Sequence, residues 1–107
     1  MLLLTTTGRK TGRPRTTPLF YMPDGDRVIL VASYAGDDRH PQWFNNLVAD
    51  PAVTVQIAGE SRRMRAAVAT PDEKARLWPR VVELYQGYEA YQRGTSRDIP
   101  VVILTTP

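Results

Sequence analysis

The chain has no cysteine, one histidine and only two lysines among its 107 residues. Without cysteine there is no disulfide, no thiolate nucleophile and no cysteine-ligated metal. His40 alone is too little for a zinc site or a histidine-based triad. No apolar run reaches the ~18 residues of a membrane span. No signal peptide is evident, since Leu2-Leu3-Leu4 is short and no charged segment precedes it. A cytoplasmic protein is the expectation. Any enzyme built from this set has little redox or nucleophilic chemistry of its own, so a cofactor would have to supply it.

Acid is missing too, locally. No Asp or Glu appears before Asp24, whereas Arg9, Lys10, Arg13 and Arg15 fall within seven positions of Gly8-Arg9-Lys10-Thr11-Gly12-Arg13-Pro14-Arg15. The whole chain carries 14 cations and 11 acids. Outside this stretch the acids are one in excess, so the positive charge is focused. Two glycines and a proline oppose a helix or an uninterrupted strand there. Apolar residues flank it on both sides, which predicts a basic loop between two strands with backbone amides free to meet phosphate or carboxylate. A solvated basic turn is the alternative reading. A nucleic-acid module would more often spread its cations over a face or along a helix.

The remaining pattern predicts one α+β domain over residues 1–107 with about six mostly antiparallel strands. Strands are expected at 2–7, 16–22 and 27–33, the last two joined by Asp24-Gly25 turn chemistry. The continuous run Val28-Ile29-Leu30-Val31-Ala32 predicts a strand covered on both faces. Pro41 suits the first turn of a helix that Asp50-Pro51 stops, with Trp43/Leu47 and Phe44/Val48 on one stripe. Val53-Thr54-Val55-Gln56-Ile57 alternates as a half-buried strand does, and Met64, Ala66 and Val68 form one face of its return. Thr70-Pro71-Asp72-Glu73 reads as a capping box. Leu77, Val81, Leu84 and Tyr85 continue that helix, with Pro79 expected to kink or split it. A short helix over 88–93 and a strand over 99–104 follow. Such an order can curl into a small barrel or lie as a flat sandwich with helices on one face.

Tyr85, Tyr88 and Tyr91 recur at three-residue steps, near one face of a helix. They can wall a planar ligand, or pack as ordinary core or interface aromatics. His40 reads as a cap or surface group rather than a base. Asp37-Asp38 is thin evidence for a metal. Arg62, Arg63 and Arg65 are expected to face solvent. The spacing alone identifies no reaction.

Several fragments together carry a resemblance: Leu3-Leu4-Thr5-Thr6-Thr7-Gly8-Arg9-Lys10-Thr11-Gly12 with Pro14-Arg15 and Pro18-Leu19, then His40-Pro41-Gln42-Trp43-Phe44-Asn45-Asn46-Leu47, Asp50-Pro51, Leu77-Trp78-Pro79, Tyr88-Glu89-Ala90-Tyr91-Gln92 and Ile99-Pro100-Val101-Val102. In this order they resemble the deazaflavin (F420)-dependent nitroreductase family. The resemblance implies a split β-barrel like that of flavin-binding oxidases, and coenzyme F420, whose tail ends in phosphate and glutamates. It places Arg9, Lys10, Thr11 and Arg15 on that tail, and Pro18, Ser33, Gln42 and Trp43 near the cofactor. Tyr85, Tyr88 and Tyr91 fall in the acceptor pocket, with Ser33 and Tyr88 catalytic and no metal.

The implied reaction is hydride transfer to an electron-poor small molecule, a quinone or nitroaromatic. A quinone acceptor would bring a peripheral membrane contact. A homodimer is expected, with Trp43, Phe44 and Trp78 partly serving its contact. Tyr34 stands where some relatives carry lysine, and the family's N-terminal helical segment is expected to be absent. An F420 carrier without efficient turnover is the competing reading, and a nucleic-acid module a more distant one.

Overall fold

Three hairpins and a C-terminal strand build one antiparallel sheet in the computed structural model, which describes all 107 residues. β1 (Leu2–Thr7) pairs with β2 (Pro14–Leu19), β3 (Met22–Asp24) with β4 (Arg27–Val31), and β5 (Ala52–Ile57) with β6 (Glu60–Val68). β7 (Val101–Thr105) lies between β6 and β4. The sheet order is β2-β1-β5-β6-β7-β4-β3. β2 and β3 are its two ends and do not pair, so the sheet stays open.

There are thus seven strands rather than six. The strand expected over 16–22 is two: β2 ends at Leu19, and Phe20 and Tyr21 carry the chain to β3 at the opposite end of the sheet. β2 also starts earlier than expected, with Pro14 opposite Thr7 and Arg15 opposite Thr6. An edge strand tolerates Pro14 and Pro18 because the missing N–H groups remove no bond from a second neighbour. β4 stops at Val31, since Ser33 already has helical angles (φ −73°, ψ −35°). β7 begins only at Val101.

Helix α1 (Gln42–Ala49) starts one residue after Pro41, which holds the extended cap position (φ −65°, ψ 152°). Helix α2 (Pro71–Leu84) has the capping box: the Glu73 N–H donates to Thr70 Oγ1 at 3.2 Å and the Thr70 N–H to Glu73 Oε1 at 2.9 Å. Pro79 does not split α2. The carbonyl that its ring leaves without a donor belongs to Ala75, an exposed residue, so water can satisfy it. Helix α3 (Gly87–Arg93) follows after a two-residue break. No helix is long and apolar enough to cross a membrane.

Strand alternation divides the core in two. Leu2, Leu4, Val28, Leu30, Val53, Val55, Met64, Ala66, Val102 and Leu104 face inward, where Trp43, Phe44 and Leu47 of α1 close one end. Met22, Ile29, Val101 and Ile103 face the other way, against Leu77 and Val81 of α2 and Tyr88 of α3. Both faces of β4 and β7 are therefore covered, as the continuous apolar run requires. Met64 and Ala66 are buried as expected, but Val68 is exposed.

Candidate active site

The basic loop, residues 8–13, closes the β1–β2 hairpin. The Gly8 N–H donates to the Arg13 carbonyl at 2.8 Å and the Gly12 N–H to the Gly8 carbonyl at 2.7 Å. Thr11 Oγ1 accepts from the Arg13 N–H at 3.2 Å. A single buried side chain fastens the loop to α1: Asn46 Oδ1 accepts from the Arg9 N–H (3.2 Å) and Arg9 Nη1 (2.9 Å), while its Nδ2 donates to Thr6 Oγ1 (3.3 Å). Asn46 is 4% exposed, so losing these partners would strand a buried amide.

No acid neutralises the loop. The ion pairs of the molecule join Asp24 to Arg27 and Arg80, Asp37 to Arg39, and Lys74 to Asp98. Arg9, Lys10, Thr11 and Arg15 line a cavity of about 590 Å³ together with Gln42 and Trp43. Three residues of its wall, Thr17, Gln42 and Trp43, also line a second cavity of about 500 Å³. The two are one groove with a cationic end and a largely apolar end. Pro18, Ser33, Tyr85, Tyr88 and Tyr91 all line the apolar end. The groove therefore gathers every residue that the sequence reading selected for cofactor or acceptor.

The tyrosines arrive differently from the expectation. They do not share one helix: α2 ends at Leu84, and only Tyr88 and Tyr91 belong to α3. The break folds the Tyr85 ring back over Gly87, where a Cβ would sit 2.7 Å from the ring, so any larger residue there would push the ring aside. Tyr85 then meets Tyr88 edge to face at 4.9 Å between centroids, and its hydroxyl lies 3.1 Å from that of Tyr91. Burial, then the neighbouring Tyr85 and Tyr91, holds the Tyr88 hydroxyl above the usual tyrosine range. It stays a neutral donor through physiological pH.

Other sequence candidates lie elsewhere. His40 packs on Phe44 at 4.7 Å and takes a bond from Arg97. Asp37 is engaged by Arg39, and Asp38 accepts from the Thr95 hydroxyl. Arg62, Arg63 and Arg65 are exposed, as expected. Trp43 and Phe44 are 7% and 8% exposed inside their own protomer, and Trp78 donates to Glu89, so the first two are not free to make a subunit contact.

Two residues escaped the sequence reading. Asn46 lies three positions after Trp43 on the buried side of α1, and a polar residue at an apolar-period position signals a paired buried group. Arg97 donates to Ala32, Ser33, Asp37 and His40. Those partners precede it by 57 to 65 positions, so no local pattern marks it.

Distant solved structures share the fold. A FAD-binding protein from Mesorhizobium loti matches with a TM-score of 0.68 at 10% identity, over 99% of this chain and 80% of that one. The chain thus has the architecture of flavin-binding split barrels. More narrowly, residues 1–106 match the model of the F420H(2)-dependent quinone reductases, and the chain belongs to that family. An F420H(2)-dependent quinone reductase of Mycobacterium tuberculosis strain H37Rv is 47% identical over 107 residues, covering 97% of this chain and 72% of that protein. A solved F420-H2 dependent reductase superposes with a TM-score of 0.88 at 38% identity, over 96% and 91% of the two chains. Another solved relative at 38% identity and a TM-score of 0.88, covering 96% of this chain and 78% of its own, is described as a domain-swapped dimer.

Proposed function

We propose that the chain transfers reducing equivalents from reduced F420 to a quinone or another electron-poor acceptor such as a nitroaromatic. The observation that carries this reading is the joined groove, an acid-free cationic end opening into a tyrosine-lined end. F420 fits such a groove, having a polyanionic tail and a planar deazaflavin ring, and when bound it supplies the hydride chemistry.

The chain's own residues position and polarise. Arg9, Lys10, Thr11 and Arg15 hold the anionic tail, with guanidinium forks matching phosphate and carboxylate. Gln42 and Trp43, at the junction of the two ends, and Pro18 of the apolar end would flank the ring. Tyr85, Tyr88 and Tyr91 shape the acceptor space. Ser33 and Tyr88 donate hydrogen bonds to the acceptor oxygen as negative charge grows there, and their fixed setting lowers the reorganisation needed.

A homodimer belongs to the same reading, supported by the dimeric solved relative. Light scattering of the F420-loaded protein tests it. Contact with a membrane surface enters only where the quinone is lipid-borne, and vesicle co-sedimentation tests that part. The reaction itself is tested by titrating F420 and then mixing reduced F420 with a panel of quinones and nitroaromatics. Acceptor-dependent oxidation is the expected result. Binding without oxidation would leave a carrier instead.

A further inference from the structure

Ser33 reaches the apolar end of the groove from a turn that the backbone does not favour. Tyr34, Ala35 and Gly36 are consecutive left-handed residues, with φ of 47°, 52° and 80°. Side-chain-bearing residues avoid that region, so two in succession need outside support. One support is α3: a Cβ on Gly36 would lie 3.3 Å from the Tyr91 Cα, so the turn presses directly on the backbone of the tyrosine helix.

The other support is Arg97. Its Nη2 donates to the Ser33 carbonyl at 2.7 Å, Nη1 to the Ala32 carbonyl at 3.0 Å and to His40 Nδ1 at 2.8 Å, and Nε to the Asp37 carbonyl at 3.0 Å. These acceptors bracket the turn on both sides, and none is a carboxylate. The Arg97 backbone is fixed in turn: its N–H donates to Thr95 Oγ1 at 3.2 Å, and its carbonyl accepts from Gln92 of α3 at 2.8 Å. Arg97 does not line the groove.

We infer that Arg97 is a positioning residue for the acceptor: its guanidinium holds the left-handed turn at 34–36, and so places Ser33 and Tyr34 in the wall facing the tyrosines. A planar fork spreads its donors over three nitrogens in fixed directions and so spans carbonyls on both sides of the turn, whereas a lysine ammonium offers three donors from a single point. The role in acceptor reduction rests on the function proposed above, but the hold on the turn does not.

His40 completes the arrangement. For Nδ1 to accept from Arg97 the ring must be neutral with its proton on Nε2. Burial, then the Arg97 charge, holds its pKa below the ordinary 6.5. The unfolded chain therefore binds the proton first as pH falls. Stability from this contact is present above about 6.5 and is lost as pH drops through the lower folded value. The charged neighbours on its own segment are Asp37, Asp38 and Arg39, the carboxylates being engaged by Arg39 and Thr95. Arg97 reaches it from the C-terminal segment, and α1 presents the Phe44 ring.

The test begins on the protein without cofactor. The Gly36 N–H donates to the Ser33 carbonyl at 2.9 Å and the Asp37 N–H to the Tyr34 carbonyl at 3.0 Å, so both amides report the turn. Arg97→Gln should lower their hydrogen-exchange protection on the order of tenfold, as expected for loss of charge-assisted bonds, with β4 and β7 amides unchanged. Arg97→Lys should recover part of that protection. In the loaded enzyme F420 affinity should hold within about twofold, while acceptor kcat/KM falls on the order of tenfold.

His40→Asn keeps an acceptor oxygen close to the Nδ1 position and cannot be protonated in this range. It should abolish the acid-side loss of Gly36 and Asp37 protection expected in the parent, a result that stands even should Arg97→Gln fail to fold. Unchanged protection in the Arg97 variants, loosening spread equally over β4 and β7, or undiminished acid sensitivity in His40→Asn would each overturn the inference. A turn loosened in the Arg97 variants, beside a parent protein that oxidises no reduced F420, would overturn the proposed reaction and leave Arg97's hold on the turn standing.

Discussion

The two ends of the groove are built on opposite principles. The basic end is made of neighbours in sequence: a hairpin loop brings Arg9, Lys10, Thr11 and Arg15 together because they are nearly adjacent. Its cations lack carboxylate partners, and one buried amide, Asn46, fixes its place. The apolar end is made of residues far apart, from β2, the left-handed turn, and the break between α2 and α3. Its groups are neutral, packed on one another and held by long-range bonds. The first arrangement suits a polyanion bound equally well in ground and transition states. The second suits contacts that strengthen as charge moves onto an acceptor. Cofactor affinity should therefore follow the loop, and acceptor use should follow the turn and tyrosines.

Four perturbations sharpen that contrast, from the largest expected effect to the smallest. Neutralising Lys10 and Arg15 together to glutamine should weaken F420 binding roughly a hundredfold, at about 1.5–3 kcal/mol per charged hydrogen bond. The remaining binding should be less sensitive to salt. Stability should hardly change, since neither side chain has an ion-pair partner; binding titrations at two ionic strengths and a melting curve check both halves.

Tyr88→Phe should lower acceptor turnover on the order of tenfold, as expected for one lost transition-state hydrogen bond. Steady-state kinetics with several quinones would read it, and a changed order of preference among them would also fit. Asn46→Ala comes next. It leaves Thr6 Oγ1 and Arg9 without their partner, at a cost of about 1–3 kcal/mol. It should lower the melting temperature and weaken F420 binding several-fold while sparing acceptor preference among molecules that have cofactor bound.

The smallest effect on the groove belongs to Thr70→Ala. Loss of the capping box should cost about 1 kcal/mol, or roughly 4–8 °C in Tm for a domain of this size. Neither F420 affinity nor acceptor kcat/KM should move. A pH measurement sharpens the tyrosine end alone. Burial, and the bond between Tyr85 and Tyr91, raise the Tyr88 and Tyr91 pKa values, so an ultraviolet titration of the folded protein should show tyrosines ionising later than those of the unfolded chain. Ionisation of all five at the ordinary pH would contradict a buried, neutral Tyr88.

Legibility in the sequence follows the same divide. The Asp24-Gly25 hairpin, the Thr70–Glu73 capping box and the alternation of β5 are set by residues a few positions apart, and the structure has all three. The basic loop could be read for the same reason. The split of the second strand could not, because Leu19 and Met22 go to opposite ends of the sheet and only the order of all seven strands decides that. The tyrosine spacing pointed to a helix face, but the rings converge because the helix breaks at Tyr85 and Gly87 lets one ring fold over. Pro79 alone suggests a kink or a split, because the sequence does not show that its turn is exposed; there water replaces the lost donor and α2 is not split. Asn46 and Arg97 bond partners 37 or more positions away, which no local pattern names; only Asn46's place on the apolar side of α1 hints at a paired buried group. The family resemblance named groove residues that spacing alone left open, yet it gave no role to Asn46, which lies within one of its fragments, or to Arg97.

The division of labour is tested most directly by measuring F420 affinity in one binding assay for the Lys10→Gln/Arg15→Gln protein and for Tyr88→Phe, both shown to be folded. The expected result is a large loss of affinity, with reduced salt dependence, in the loop protein and near-parent affinity in Tyr88→Phe. Parent-like binding by the loop protein, with binding abolished in Tyr88→Phe, would mean that the two ends of the groove have been assigned the wrong way round.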